Sequence, residues 1–484
     1  MGLLGILLAV GMLMALAYRG WSILLLAPAA ALLVAAFAGE PVLAHWTQTF
    51  MSSTAAFIGQ FFPLFLLGAL FGKLMDDSGS VKAIAHFIVE RLGPRHGILA
   101  IVLAGAVVTY GGVSLFVAFF VLAPMAQEVF RAANIPRRLM PAAIALGTVT
   151  FTMSAAPGTP AIQNAVVMPF LGTTLFAAPG LGVIASVIML GFGMGWLNLV
   201  ERRARRAGEG FGAGSIGFPE AIAADSTLRE RATTAREFDP VEIGHGQRSG
   251  TMPPVGLAAL PLVVVVGVNL LMAWLILPRI DASYLKEERW GATSLSAVGG
   301  IWSVVVALAA AILVLLLTSR RRFPSLRGSV DAGAAAAVLP ALTVASLVGF
   351  GAVVAAVPAF ASVRGLVLSI GGGVLVPVAA TTNILSALTG TAAGSLTITF
   401  QALGETLLRL AAEQHVAPSL LHRVATIGAG TLDSLPHNGA IAVLLAVCGS
   451  THRESYWTIA AVAIIGPAIA LAAVIGLGSA FGSF

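Results

Sequence analysis

Apolar residues along this chain run on continuously instead of alternating, in stretches such as Ile23 to Phe37 and Leu257 to Leu277. A strand crossing lipid alternates over about ten residues, whereas runs of this kind predict helices, of which about 20 residues cross a hydrocarbon core of about 30 Å. Plain apolar spans are expected near 2–18, 21–38, 54–73, 180–200, 254–277, 297–318, 337–360 and 457–480. Four other regions, 97–131, 138–170, 365–411 and 421–449, are apolar but interrupted by Gly, Pro and small polar residues. A polar stretch with no apolar run, Glu201 to Gly250, separates the two series and reads as a solvated linker. The pattern predicts an all-α polytopic membrane protein in two transmembrane repeats, 1–200 and 251–484, joined by the linker 201–250.

Each half carries three plain spans, two interrupted ones and a closing one. Regions 97–131 and 365–411 are expected as re-entrant helical hairpins, and 138–170 and 421–449 as broken transmembrane helices. The resulting odd number of crossings per half makes the two repeats inverted in topology. Basic residues mark cytoplasmic loops. With the first helix running outside to inside, 21 of the 27 Lys and Arg lie inside, including those of the linker, and both termini lie outside. Two full crossings over 97–131 would leave the chain on the same final side, so charge alone does not establish re-entrance. Ala15-Leu16-Ala17 resembles a cleavage site, but no Lys or Arg precedes the apolar stretch, so the first helix is expected to be retained.

The two halves also resemble each other. Gly111-Gly112-Val113-Ser114-Leu115 pairs with Ala392-Ala393-Gly394-Ser395-Leu396, Pro157 with Pro436, and Ala161-Ile162 with Ala440-Ile441, at an offset of about 280 residues. Hairpin, proline loop and broken helix follow in the same order twice.

Composition agrees with the pattern. Of 484 residues 58% are hydrophobic and 10% charged, against about 25% charged in a soluble domain. The net charge of +6 sits in loops and carries no message about nucleic acid. The one cysteine, Cys448, excludes an intramolecular disulfide and reads as a small buried hydrophobe.

The breaks concentrate the chemistry. Irregular backbone at membrane depth is tolerated only where protein encloses it or it lines a wet cavity. In Pro157-Gly158-Thr159-Pro160 two residues lack the N–H a helix needs, and the glycine frees the turn. The N–H groups of the following Ala161-Ile162-Gln163-Asn164 favour an anion, most obviously a carboxylate, and Pro436-His437-Asn438-Gly439 repeats the device. Hairpin tips Thr109–Ser114 and Thr389–Ser395 approach the same midplane. Candidate substrate-binding residues are Gly111, Gly112, Ser114, Pro157, Gly158, Thr159, Gln163, Asn164, Thr391, Gly394, Ser395, Ser434, His437 and Asn438. A lone membrane proline is more often a packing kink, but the mirrored motifs favour a transporter site. Of the few intramembrane ionisable groups, Asp433 and His437 flank the second break and are the candidates for ion coupling; their bland alternative is a structural pair. Glu405 and Arg409 stand at i, i+4 and predict a local ion pair. Asp76-Asp77 after Lys73 reads as a solvated loop.

Enzyme readings are weak. Asp433, Ser434 and His437 crowd into five positions, whereas a hydrolase triad converges from separate elements. No metal-ligand spacing or Walker A loop is present, and no cofactor or metal is expected. A secondary transporter remains, with a passive anion channel as the different-class alternative.

Gly111-Gly112-Val113-Ser114-Leu115-Phe116-Val117, Thr150-Phe151-Thr152-Met153 with Pro157-Gly158-Thr159-Pro160-Ala161-Ile162-Gln163-Asn164, and Leu432-Asp433-Ser434-Leu435-Pro436-His437-Asn438-Gly439-Ala440 resemble the gluconate permease (GntP) family, and within it the branch of D-β-hydroxybutyrate permeases. The resemblance covers nearly the whole chain except the linker. It implies a bacterial inner-membrane symporter of the ion-transporter superfamily, a homodimer pairing a scaffold with a moving transport domain. Gluconate carriers differ around the first break, which turns the expectation away from a sugar acid. No Arg or Lys lies in either break or tip, so a carboxylate would be held by half-helix N-termini with Ser114, Thr159, Asn164, Ser395 and Asn438. The expected substrate is a short-chain hydroxy-monocarboxylate such as 3-hydroxybutyrate, moved with a proton. Sodium coupling, a sugar acid and a D-amino acid are the alternatives.

Overall fold

The computed structural model describes residues 2–19, 21–212, 238–436 and 438–484. Among them all regular structure is helical. In chain order the first half contains α1 (Gly2–Tyr18), α2 (Ile23–Ala38), α3 (Val42–Asp77), α4 (Ser80–Leu92), α5 (Gly97–Tyr110), α6 (Leu115–Ala132), α7 (Met140–Thr148), α8 (Phe151–Ser154), α9 (Ile162–Ala165), α10 (Met168–Leu171) and α11 (Pro179–Arg206). The second contains α12 (Val255–Leu271), α13 (Leu295–Ser319), α14 (Leu326–Ala356), α15 (Phe360–Leu368), α16 (Leu375–Thr389), α17 (Ala392–Glu413), α18 (Pro418–Thr431), α19 (Gly439–Val447) and α20 (His452–Phe481). Seven described helices are long and apolar enough to cross a membrane, α3, α6, α11, α12, α13, α14 and α20 among them when α12 and α13 are extended to Arg279 and Arg322. The chain is a polytopic helical membrane protein.

Both expected hairpins form. α5 and α6 pack together across a turn at Gly111–Ser114, and α16 and α17 across Gly390-Thr391. At about 1.5 Å per residue the 14 residues of α5 and 15 of α16 reach little more than 20 Å, short of a hydrocarbon core. Ahead of the first hairpin, the chain bends by 101° between α4 and Pro94–Tyr110. Gly93 has φ +67° there and Pro94 cannot extend α4, so this 13-residue helix turns away from the line of α5 and packs against both arms of the hairpin.

The contacts exchange in matched pairs between the halves. α1 packs on α2 as α12 packs on α13; α2 on α14 as α13 on α3; α5 on α7 as α16 on α18; α6 on α19 as α17 on α9 and α10. α3 with α14, and α11 with α20, are equivalent to themselves under the exchange. Small residues make the α3–α14 seam close: a Cβ at Gly333 would lie 2.9 Å from Leu70 Cα, and one at Gly349 2.8 Å from the Phe50 carbonyl oxygen. With no hydrophobic force between helices in lipid, such van der Waals contact is what joins them.

The repeat has a different register from the one read in the sequence. The outgoing hairpin arms begin at Leu115 and Ala392, and the helices after the breaks at Ile162 and Gly439, in both cases 277 residues apart. Ser114 and Thr391 are therefore equivalent: each caps its arm, accepting from Phe116 N at 3.3 Å and from Gly394 N at 3.5 Å. Ser395 lies inside α17 and donates to Ala392 O at 2.9 Å. The capping hydroxyl, not the Gly-Ser pair, starts the helix.

The linker is not solvated throughout. α11 continues to Arg206, and of the described linker residues Phe211, Phe238, Asp239 and Ile243 are buried. Isolated aromatics among polar residues raise no hydropathy window, yet each finds a seat. Arg131 stacks over Phe211 at 5.2 Å, Asn134 Oδ1 accepts from Phe211 N, and Arg138 grips Glu209 through two hydrogen bonds of 2.7 and 2.8 Å. Lys73, Asp76 and Asp77 are likewise buried, not a solvated loop, because the end of the linker covers them. Arg409 pairs with Glu413 at 3.8 Å, not with Glu405, one turn further along the exposed face of α17. Cys448 is buried and free, as expected.

Candidate functional site

The first broken helix breaks more than once. Thr148, Val149 and Thr150 crowd the backbone between α7 and α8, with the two threonine hydroxyls bonded back to Ile144 O and Leu146 O. Residues 155–161 are irregular, and Pro169 then limits α9 and α10 to four residues each. The half-helix expected to start at Ala161-Ile162-Gln163-Asn164 is therefore a single turn, and its dipole is correspondingly small. The second break, at 432–438, does lead into a nine-residue helix, and Asn438 Oδ1 caps it by accepting from Ala440 N at 2.8 Å.

Each hairpin tip closes on the break of its own half. Tyr110 Oη donates to Pro157 O at 2.8 Å, Thr109 Oγ1 to Thr152 Oγ1 at 3.1 Å, and a Cβ at Gly112 (φ +92°) would lie 2.8 Å from the Pro160 ring. In the second half Asn438 Nδ2 bridges, donating to Gly390 O and to Asp433 Oδ1, each at 3.0 Å. α18 runs from the second break past the first, so that a Cβ at Gly430 would lie 3.1 Å from Ser154 Cβ. The two breaks thus occupy neighbouring helices.

Several freed backbone groups have protein partners, as lipid-depth backbone requires. Gly158 (φ +84°) donates its N–H to Leu175 O at 3.0 Å, and Asn164 Nδ2 donates to Met153 O at 3.2 Å. Tyr456 Oη donates to Ser434 O, and His452 Nε2 lies 2.8 Å from Pro436 O. Some buried side-chain groups are left over as well. Thr159 Oγ1, Gln163 Oε1 and Ser434 Oγ are buried with no hydrogen-bond partner among the described residues, each a deficit of about 1–3 kcal/mol until something fills it.

Sequence reasoning missed Arg423. It is fully buried on α18, where it donates from Nε and Nη2 to Ala177 O at 3.2 and 2.7 Å, and from Nη1 to Ser154 O at 3.1 Å and Asn164 Oδ1 at 3.4 Å. A cation therefore stands against the first break, contrary to the expectation of none. Its partners are carbonyls, which satisfy the guanidinium fork while leaving its charge unneutralised. The signal available in the sequence was an arginine inside the apolar region 421–449.

A cleft opens between the first tip and the first break. Gly112, Ser114, Pro160 and Ile162 line it together with Leu64, Phe65, Gly68 and Ala69 of α3, Leu308 of α13 and Phe238 of the linker, and none of its described lining residues is charged. Of the sequence candidates, Gly112 and Ser114 face this cleft. Pro157, Gly158, Thr159, Gln163 and Asn164 form the break behind it. Gly111 packs against Leu262 of α12, a close approach with a structural role. Thr391, Gly394 and Ser395 build the second tip, and Asp433, Ser434 and Asn438 the second break. His437 lies outside the described residues. No group of three or more His, Cys, Asp or Glu positioned to hold a metal occurs among the described residues.

This arrangement has known counterparts. A GntP family permease model matches residues 1–207. The uncharacterized transporter YxjC of Bacillus subtilis (strain 168) is 40% identical over 482 residues, 98% of both chains. The high-affinity gluconate transporter of Escherichia coli (strain K12) is 35% identical over 112 residues, 22% of this chain and 24% of that one. In fold, the chain matches MtrF of Neisseria gonorrhoeae, described with a class of antimetabolite efflux pumps, at a TM-score of 0.54 over 91% of this chain and 85% of that one. It matches the YdaH transporter of Alcanivorax borkumensis at 0.55 over 91% and 88%. Identity to each of these two is 14%, a likeness of fold alone. With 40% identity to a transporter over nearly the whole of both chains and a GntP family permease model matching its first half, the chain belongs to the GntP family of permeases.

Proposed function

We propose that this permease is a secondary active transporter carrying a short-chain hydroxy-monocarboxylate, of the 3-hydroxybutyrate class, into the cytoplasm with a proton. The observation that carries the reading is the set of unpartnered buried polar atoms at the two breaks, Thr159 Oγ1, Gln163 Oε1 and Ser434 Oγ. A small anion bearing a hydroxyl offers them partners, and the charge of Arg423 behind the first break favours it in a low-dielectric setting. A multiply charged anion would require more positive charge than the uncharged cleft lining provides. Asp433, 2% exposed beside the second break, is the group proposed to take up the coupling proton.

The halves act in this reading as inverted repeats in a bacterial inner membrane, with the linker cytoplasmic and the permease a homodimer. Exchange of access proceeds by an elevator-like or rocking motion of hairpins and breaks against the α3–α14 seam. Labelled 3-hydroxybutyrate should accumulate in proteoliposomes under an inward proton gradient. Accumulation under a sodium gradient alone would overturn the proton coupling, and single-channel currents without counterflow would replace the transporter with a channel. Gluconate is the second reading, favoured by the 112-residue similarity to the gluconate transporter; gluconate uptake that 3-hydroxybutyrate fails to inhibit would establish it.

A further inference from the structure

The C-terminal end of the linker is a strap laid across α3 and α14. Asp239 N donates to Ala336 O at 2.9 Å, and its side chain accepts from Val241 N to cap the turn Pro240–Ile243. Lys73 Nζ donates to Ile243 O at 3.2 Å and to Asp77 Oδ1 at 3.1 Å. Arg248 Nε donates to Asp76 Oδ2 at 3.1 Å, and Ser249 N to Asp77 O at 2.8 Å. Gly246 (φ +81°) lies so flat on this cluster that a Cβ would come within 2.6 Å of Asp77 Oδ2. The strap's first described residue, Phe238, is 1% exposed, and its surroundings are the cleft itself, shared with Gly112, Ser114, Pro160 and Ile162.

We infer that Phe238 is the inner wall of the substrate cleft, a steric gate and selectivity determinant held in place by the strap's bonds to Lys73, Asp76 and Asp77 of α3 and to Ala336 of α14. The inference rests on reading that cleft as the substrate site. A carboxylate and hydroxyl engage the polar tip and break, which leaves the aliphatic end of the anion against the Phe238 ring. Ring size then limits chain length. The strap is bonded to the α3–α14 seam, whereas Ser114 and Pro160 belong to the hairpin and break. Relative motion of those two groups carries the site past the ring.

The test is thiol labelling of Ser114→Cys in a Cys448→Ser background, in inside-out vesicles, with a membrane-impermeant methanethiosulfonate reagent. Phe238→Ala should raise the labelling rate about tenfold by removing the closed state's barrier, and Phe238→Trp should lower it. Ser249→Pro, which deletes one strap anchor but keeps the ring, should raise it as well. Equal rates in all four backgrounds overturn the gate, whatever the uptake assays show. Labelling needs no substrate, so changed rates with no hydroxybutyrate uptake sustain the gate and sink the proposed substrate. For selectivity, Phe238→Ala should admit six-carbon hydroxy acids as competitors of uptake; an unchanged competition profile removes Phe238 as a determinant of chain length.

Discussion

Arg423 Nη1 lies 3.1 Å from the carbonyl oxygen of Ser154, a residue 269 positions earlier in the chain. Thr426 Oγ1 donates to the same oxygen at 3.1 Å. One side of α18 thereby ends the broken helix of the other half, and the cation stands behind the break that faces the proposed anion site.

Replacing Arg423 separates charge from geometry. Arg423→Met takes the guanidinium donors from the Ala177 carbonyl in a dry interior, which costs about 1–3 kcal/mol, while the Ser154 carbonyl keeps Thr426. Arg423→Lys keeps the charge but loses the planar fork. Thermal unfolding in detergent should fall in the order wild type, Lys, Met, with uptake lost in both variants. Wild-type unfolding of Arg423→Met would show that the guanidinium holds nothing together.

Asp433→Asn retains an acceptor for Asn438 Nδ2, so the second break should stay folded. It removes the titratable carboxyl. Proton-driven accumulation should vanish while substrate counterflow persists. Undiminished proton dependence in this variant would take Asp433 out of the coupling.

Gly112 and Gly158 sit at φ +92° and +84°, and a Cβ would meet Pro160 at 2.8 Å and the Phe176 ring at 2.6 Å. Alanine at either position combines backbone strain with overlap, on the order of 1–3 kcal/mol. Gly390→Asn is the control: φ is +67°, nothing lies within 4 Å of its Cβ, and asparagine tolerates that conformation. Melting temperatures should drop for the first two and hold for the third; an equal drop in all three would refute the steric account.

The Arg138–Glu209 contact carries a pH dependence. Two hydrogen bonds from Arg138 hold the Glu209 carboxyl below the usual carboxylate range. A carboxyl so depressed contributes its full share above its unfolded pKa of about 4.3, and the share is lost as pH falls through the lower folded value. Both side chains are partly exposed, so the contribution is below about 1 kcal/mol. Pepsin nicking of the linker should therefore accelerate below about pH 4 in the wild type. In Glu209→Gln it should be faster at the upper end of that range and flatter with pH. Identical profiles would show that the contact does not pin the linker.

Much of this architecture was legible in the chain because its causes are local. Apolar runs make helices wherever lipid is the solvent, and Pro157, Gly158, Pro160 and Pro436 interrupt them by their own covalent geometry. Hairpin tips and breaks in the same order twice were visible for the same reason. Register was less so: Thr391 starts α17 a turn before the Gly394-Ser395 pair that sequence similarity aligns with Val113 and Ser114, since a cap is recognised by the hydrogen bond it accepts.

Tertiary structure alone decided which polar groups are paired and which are left over. Arg423 reads as one charge in an apolar region until α18 carries it past Ser154 and Ala177. Lys73, Asp76 and Asp77 read as a solvated loop until the strap from Ile243 to Ser249 covers them. Phe238, in a stretch without apolar periodicity, reaches the cleft beside the bond from Asp239 to Ala336. The chain's own order determined the helices, the breaks and the membrane as solvent, because these follow from residues adjacent in sequence. The site depended on partners up to 272 residues apart, whose burial and hydrogen bonding exist only once the halves have packed.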